Sequence, residues 1–177
     1  WVDQGLVAGC SGGTFDNVCA VADILRGHSC GNGEFKMSVY PGSMPAYIQL
    51  MKNGALTDIA SAGAIIRECF CGPCFGAGDT PANGEFSANN PKLPEREGSK
   101  PGEGQMSGVA LMDARSIAAT AINGGRLTAA TDLDVTYTHP QYFFDGPAGP
   151  GRYFLPGIQQ CSVHIQCNQH ILLFIHS

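Results

Sequence analysis

The chain is expected to fold as an α/β domain, a three-layer structure in which an open, mainly parallel sheet carries helices on both faces. Three observations predict it. Short apolar segments alternate with amphipathic ones along the first 70 residues. The helical segments have recognisable caps and glycine stops. A strand, helix, strand, helix, strand order requires right-handed crossovers between parallel strands.

The elements can be justified in turn. Leu6-Val7-Ala8 reads as a buried strand, followed by a Gly-rich turn that holds Cys10. The spacing predicts a helix over 15–25, because Phe15, Val18, Cys19, Ala22 and Leu25 share one face, Thr14 can cap it and Gly27 can end it. Cys19 on that face behaves as a small hydrophobe. Residues 35–40 alternate as a second strand and Pro41-Gly42 turns. Ser43 can then cap a helix carrying Met44, Tyr47, Ile48 and Met51 to one side, closed by Gly54. A short helix over 57–62 stops at Gly63, and 64–69 forms a third strand that leads into Cys71-Gly72-Pro73-Cys74. Residues 75–105 are dense in Gly, Pro, Asn and charge without a sustained period, so they read as a long functional loop region. Regular structure resumes with Val109-Ala110-Leu111, a helix capped by Asp113 and running to Ile122, and a stop at Asn123-Gly124-Gly125. Residues 134–138 read as a last strand.

Composition narrows the function classes. A chain of 177 residues can bury a real core. Charged residues make up only 14%, well below the usual quarter, which suggests that much of the surface is covered by something else. A formal charge of −5 with scattered Lys and Arg argues against a nucleic-acid partner. The apolar run Ile171-Leu172-Leu173-Phe174-Ile175 is too short to cross a membrane. No leader precedes the first strand and the chain begins at Trp1 without Met, so it reads as a piece of a longer protein. The expected compartment is the cytoplasm, or the mitochondrial matrix if the source is eukaryotic.

The chemistry rests on cysteine. Eight cysteines in a chain with a βα rhythm favour metal or catalytic use over a disulfide framework. Cys10 follows the first strand, and Cys71 and Cys74 follow the third. In an open parallel sheet ligands gather beyond the carboxyl ends of the strands, so this topology delivers all three thiols to one edge. Three thiolates are one fewer than a closed four-cysteine site needs, and the open position is where a substrate could be polarised. Two rivals stand beside a cluster. Cys71-Gly72-Pro73-Cys74 is also a thiol–disulfide exchange motif, but the following Phe75-Gly76-Ala77-Gly78 cannot continue as the helix that such a thiolate needs. Zinc would need a fourth ligand, and none of the histidines at 28, 139, 164, 170 and 176 has a standard spacing from the pair. Plain structural cysteines remain the bland reading.

Cys10-Ser11-Gly12-Gly13-Thr14-Phe15-Asp16-Asn17, Cys71-Gly72-Pro73-Cys74-Phe75-Gly76 and Arg96-Glu97-Gly98-Ser99, in that order, resemble the aconitase family of iron–sulfur hydro-lyases. The resemblance is closest to the aconitase-like hydratases. It covers roughly residues 5–145 and corresponds to the cluster-bearing third domain of a multidomain enzyme. It implies a [4Fe–4S] cluster held by Cys10, Cys71 and Cys74, and reversible dehydration of a hydroxy di- or tricarboxylic acid. It also implies substrate binding through Asn90 and Arg96, whose bland reading is that of a solvated loop. The family's Asn-Arg-Asn-Phe run falls on Asn90-Pro91-Lys92-Leu93, so Pro91 stands where the family has an arginine. The family draws its acid, base and serine from other domains, so no catalytic residue is expected within this chain. The expected partners are the hydroxy-carboxylic acid and the missing domains of the same enzyme, with neither nucleic acid nor membrane.

Two domains are expected: an iron–sulfur domain over 1–145 and an unassigned tail over 146–177, whose Cys161, His164, Cys167 and His170 match no established metal spacing. A noncatalytic cluster- or metal-binding protein and a thiol–disulfide redox protein are the alternative readings.

Overall fold

A computed structural model of the protein describes residues 1–31, 33, 35–79, 85–89 and 101–143. All of these lie in the first of two units into which the chain divides, Trp1–Pro147, the second being Ala148–Ser177. The tail with Cys161 and Cys167 lies outside the described residues, as do Asn90, Pro91, Lys92 and Arg96.

Five parallel strands form one sheet in the order β3-β2-β1-β4-β5. They are β1 (Gln4–Val7), β2 (Lys36–Val39), β3 (Ile65–Ile66), β4 (Phe86–Asn89) and β5 (Gly108–Leu111). The helices are α1 (Gly9–Gly12), α2 (Phe15–Leu25), α3 (Met44–Lys52), α4 (Ala55–Ser61) and α5 (Ala114–Ile122). The α/β class and the parallel sheet agree with the sequence expectation. From β1 the chain steps outward to β2 and β3, then returns to β4 and β5 on the other side of β1. That reversal puts a topological switch point at the carboxyl end of β1, where such sheets bind ligands.

β1 pairs in parallel with β2 and β4 and is buried along its length. Val7, Met37, Val39 and Ala88 face a core shared with α2, α3, α4 and α5, which account for one of the two expected helical layers. Val18, Val21, Ile24 and Leu25 of α2 are essentially sealed from water. Each such side chain contributes about 1.5–3 kcal/mol, so α2 is the principal anchor of the sheet. The opposite face of the strands carries Leu6, Ala8 and Tyr40. Gln4 and Ser87 are buried there too, satisfied by a hydrogen bond from Ser87 Oγ to Gln4 Oε1 of 2.9 Å.

Helix edges follow the caps. Thr14 Oγ1 accepts from the Asn17 amide, Ser43 Oγ from Ala46, and Asp113 Oδ1 from both Arg115 and Ser116. Four expectations need correction. The turn holding Cys10 is itself one turn of helix, α1. The span 75–105 contains the interior strand β4, whose four residues Phe-Ser-Ala-Asn alternate in polarity but are too few to stand out among the Gly, Pro and Asn around them. Residues 134–138 form no strand: Thr138 instead donates its amide and hydroxyl to the Asp23 carboxylate, while Val135 and Tyr137 rest against the helical core. The third strand is also shorter than 64–69, because the chain bends at Glu68 to Phe70, where the Phe70 amide donates to the Glu68 carbonyl.

Candidate metal centre

α1 begins two residues beyond the end of β1, and its backbone bonds run from Gly12 to Ala8 and from Gly13 to Gly9. Cys10 sits on this turn, exposed. Gly13 lets the turn lie flat against the end of β2: its carbonyl accepts the Gly42 amide at 2.7 Å, and a Cβ at Gly13 would collide with the Tyr40 carbonyl oxygen. Asn17 Nδ2 donates to the Ser11 carbonyl at 3.0 Å and ties α1 to the first turn of α2. Gly13 in Cys-Ser-Gly-Gly-Thr is therefore a docking surface for the β2 end.

Cys71 and Cys74 arrive from the carboxyl end of β3. Residues Gly72–Phe75 form a single 3-10 turn, closed by the Cys74 amide donating to the Cys71 carbonyl at 2.8 Å. Gly76, at positive φ, ends it. Among the described residues no α-helix follows the motif, as its glycines predict, and a thiolate at Cys71 has no helix dipole to stabilise it there. Cys71 is exposed and Cys74 half-buried. Burial pushes the Cys74 thiol up, and the Cys71 and Cys10 thiols beside it push in the same direction.

Gly9 joins the two halves of the site. Its φ is +77°, and a Cβ there would stand 3.1 Å from Cys74 Sγ and 3.9 Å from Cys71 Sγ. The missing side chain leaves room for the two sulfurs directly above the backbone that carries Cys10. Among the described residues, no group of three His, Cys, Asp or Glu side chains is arranged to hold a metal ion. A cluster makes a different demand, since each cysteine binds its own iron and the sulfurs need not converge on one point. An all-sulfur donor set around a bare glycine fits such a group.

The remaining described cysteines behave otherwise. Cys19 and Cys30 are buried, and burial pushes both thiols up to about 11. Asn53 Nδ2 donates to Cys19 Sγ at 3.4 Å, which marks it as a packed core group. No described cysteine is in a disulfide.

A group that the sequence reading missed closes the base of the Cys71–Cys74 loop. Arg67 donates to Asp79 from Nε at 2.9 Å and from Nη2 at 2.7 Å, a two-pronged ion pair. Tyr40 Oη donates to Asp79 Oδ2 at 2.6 Å and accepts the Asp79 amide at 2.9 Å. Burial alone would raise the Asp79 carboxyl, but hydrogen bonds from Arg67, Tyr40 and Ser38 outweigh it and hold the group below its ordinary value. Burial, helped by the Asp79 acceptor, pushes the Tyr40 hydroxyl up to about 12, so it stays a donor. Positions 40, 67 and 79 share no local pattern. The one sequence signal was an acid, Asp79, placed among glycines.

Similarity to known proteins agrees with this geometry. The Aconitase family (aconitate hydratase) model matches residues 1–124. The chain is 40% identical to the 3-isopropylmalate dehydratase large subunit of Mycolicibacterium smegmatis over 75 residues, 42% of this chain and 18% of that protein. The corresponding large subunit of Desulfitobacterium hafniense is 31% identical over 119 residues, 66% of this chain and 28% of that protein. The 2,3-dimethylmalate dehydratase large subunit of Eubacterium barkeri is 37% identical over 75 residues, 42% of this chain and 18% of that protein. The chain thus spans between 18% and 28% of the length of these curated relatives. With the family model covering both the Cys10 turn and the Cys71–Cys74 loop, the chain belongs to the aconitase family.

Proposed function

We propose that this chain is the cluster-bearing part of an aconitase-family hydro-lyase, with Cys10, Cys71 and Cys74 as the three protein ligands of a [4Fe–4S] cluster. The observation that carries the proposal is the meeting of Cys74 and Cys71 over Gly9, one residue from Cys10, at the switch point of the sheet. When bound, the cluster would supply an iron without a protein ligand, able to polarise a substrate hydroxyl as a Lewis acid.

The chain's own residues have simpler tasks. The three thiols hold the group, and the bare Gly9 keeps space for it. Arg96 presents a planar fork suited to a substrate carboxylate, and Asn90, next after β4, adds a polar contact. No acid or base for proton transfer is assigned within the chain. Those groups come from the rest of the enzyme, together with a second subunit, because the relatives are named large subunits. Their names denote alkyl-substituted malates, which favours a hydroxy dicarboxylic acid within the wider di- or tricarboxylic class.

Anaerobic reconstitution with iron and sulfide tests the assignment, read by metal content, visible spectrum and EPR after mild oxidation. A three-iron signal in the native chain, lost in Cys71→Ser and Cys74→Ser, is the expected result. Zinc retained in place of iron, or a reversible Cys71–Cys74 disulfide without iron uptake, would overturn it.

A further inference from the structure

We propose that Tyr40, Arg67 and Asp79 are positioning residues that fix the Cys71 and Cys74 thiols relative to Cys10. The proposal rests on the assignment of those thiols as cluster ligands. Tyr40 is the shared abutment of the two halves of the site. Its amide donates to the Val7 carbonyl at 2.8 Å, continuing the β1–β2 ladder to the point where α1 begins. Its carbonyl lies against Gly13 at the end of α1, so the turn carrying Cys10 rests on the Tyr40 backbone.

The Tyr40 side chain serves the other half. Its hydroxyl makes two hydrogen bonds to Asp79, at the far end of the Cys71–Cys74 loop, and its ring meets Phe70 at 5.6 Å between centroids, at the near end. Arg67, where the chain leaves β3, closes the base of the loop on the same carboxylate. Both ends of the segment that carries Cys71 and Cys74 are therefore pinned to Tyr40, against whose backbone the Cys10 turn rests. Arg67 also bears on the substrate question. At this edge of the sheet it could be taken for a carboxylate anchor, but its fork is already engaged by Asp79.

The arrangement suits its task. Hydrogen bonds to a charged carboxylate are stronger and more directional than neutral ones, and the side chain of Tyr40 is sealed at 0% exposure, so water cannot easily substitute for its hydroxyl. A loop of glycines and one 3-10 turn has little rigidity of its own. Its ligand geometry must be imposed from outside.

The test compares Tyr40→Phe and Asp79→Asn with the native chain and with Ile24→Val, a core variant remote from the loop. In the apo protein, timed alkylation followed by mass spectrometry reads Cys10, Cys71 and Cys74 separately. The half-buried Cys74 should react roughly tenfold faster in Tyr40→Phe and Asp79→Asn, the factor that one charge-assisted hydrogen bond carries, with Cys10 and the Ile24→Val control unchanged. In reconstituted protein the same two variants should lose iron to a chelator several-fold faster and show a broadened EPR signal. Unchanged alkylation of Cys74, or faster alkylation with native iron retention and spectrum, would overturn the positioning role. Failure of the native chain to take up iron would instead sink the proposed function, with the apo alkylation pattern still deciding whether the brace holds the thiols.

Discussion

Gly9 carries two constraints that no other residue type meets together. Its positive φ costs an L side chain about 1 kcal/mol or more, and a Cβ at 3.1 Å from Cys74 Sγ forces the sulfur to give way. Gly9→Ala should lower the melting temperature by about 2–8 °C, as about 1–2 kcal/mol does in a chain of this size. Iron uptake should fall out of proportion to that modest loss, because the displaced atom is one of the proposed ligands. Melting by circular dichroism beside an iron assay checks this, and normal iron loading would show that the glycine is there for the backbone alone. Asp79 makes a second prediction at this scale. Its carboxyl titrates below the ordinary value, so its contribution to stability is complete above about pH 4, the unfolded value, and is lost as pH falls through the depressed folded one. Urea unfolding at pH 5, 4 and 3 should show a shallower acid loss in Asp79→Asn than in the native chain, and parallel curves would deny the ion pair that role. The three thiols were legible in the sequence because each follows a strand, and topology alone sends strand ends to one edge. The brace was not, since Tyr40, Arg67 and Asp79 meet only once β2 and β3 are adjacent.

Helix caps rank themselves by geometry. Asp113 Oδ1 accepts two amides at 2.8 and 3.1 Å, and its Oδ2 takes the Ser116 hydroxyl at 2.9 Å. Ser43 accepts one amide at 3.3 Å and Thr14 one at 3.4 Å. Asp113→Ala should therefore cost about 1–2 kcal/mol, and Ser43→Ala and Thr14→Ala nearer 0.5–1, within the usual range for a lost cap. Chemical denaturation of the three variants checks the order, and a Thr14→Ala loss equal to that of Asp113→Ala would contradict it. Such caps explain why the helix expected over 15–25 forms between Phe15 and Leu25: capping is local chemistry and needs no tertiary information. Strands depend on their neighbours. In β4, Ser87 and Ala88 face opposite sides of the sheet and are both fully buried, so an interior strand of only four residues offered no apolar run, and its brief alternation was lost among polar neighbours. Residues 134–138 erred the other way. Val135 and Tyr137 alternate because they rest on helices, with Thr138 held by Asp23 and the Tyr137 ring under the Arg115 guanidinium at 5.4 Å.

At the scale of the molecule, only a small fraction of the residues are charged, and among the described residues β5 exposes apolar side chains. Leu111 and Val109 of β5 are 66% and 41% exposed, and Leu127 nearby is 49% exposed. Leu111 and Leu127 also line a cavity of about 480 Å³ between β5 and the start of α5, with Met112 and Ala129. A terminal strand of the described sheet with outward leucine and valine offers unpaired backbone and apolar area together, a combination that soluble domains normally blunt with lysine or a covering element. Only 14% of the residues are charged, which leaves little electrostatic repulsion to oppose association. The chain on its own should therefore self-associate as its concentration rises. Leu111→Lys should shift sedimentation toward the monomer, because a lysine on the strand opposes edge pairing and removes part of the apolar patch. Thr57→Lys, on the far side of the sheet at α4, adds the same charge without touching β5 and should leave association unchanged. If both lysines act alike, net charge governs the association; if only Leu111→Lys acts, the β5 edge is the surface through which the chain associates.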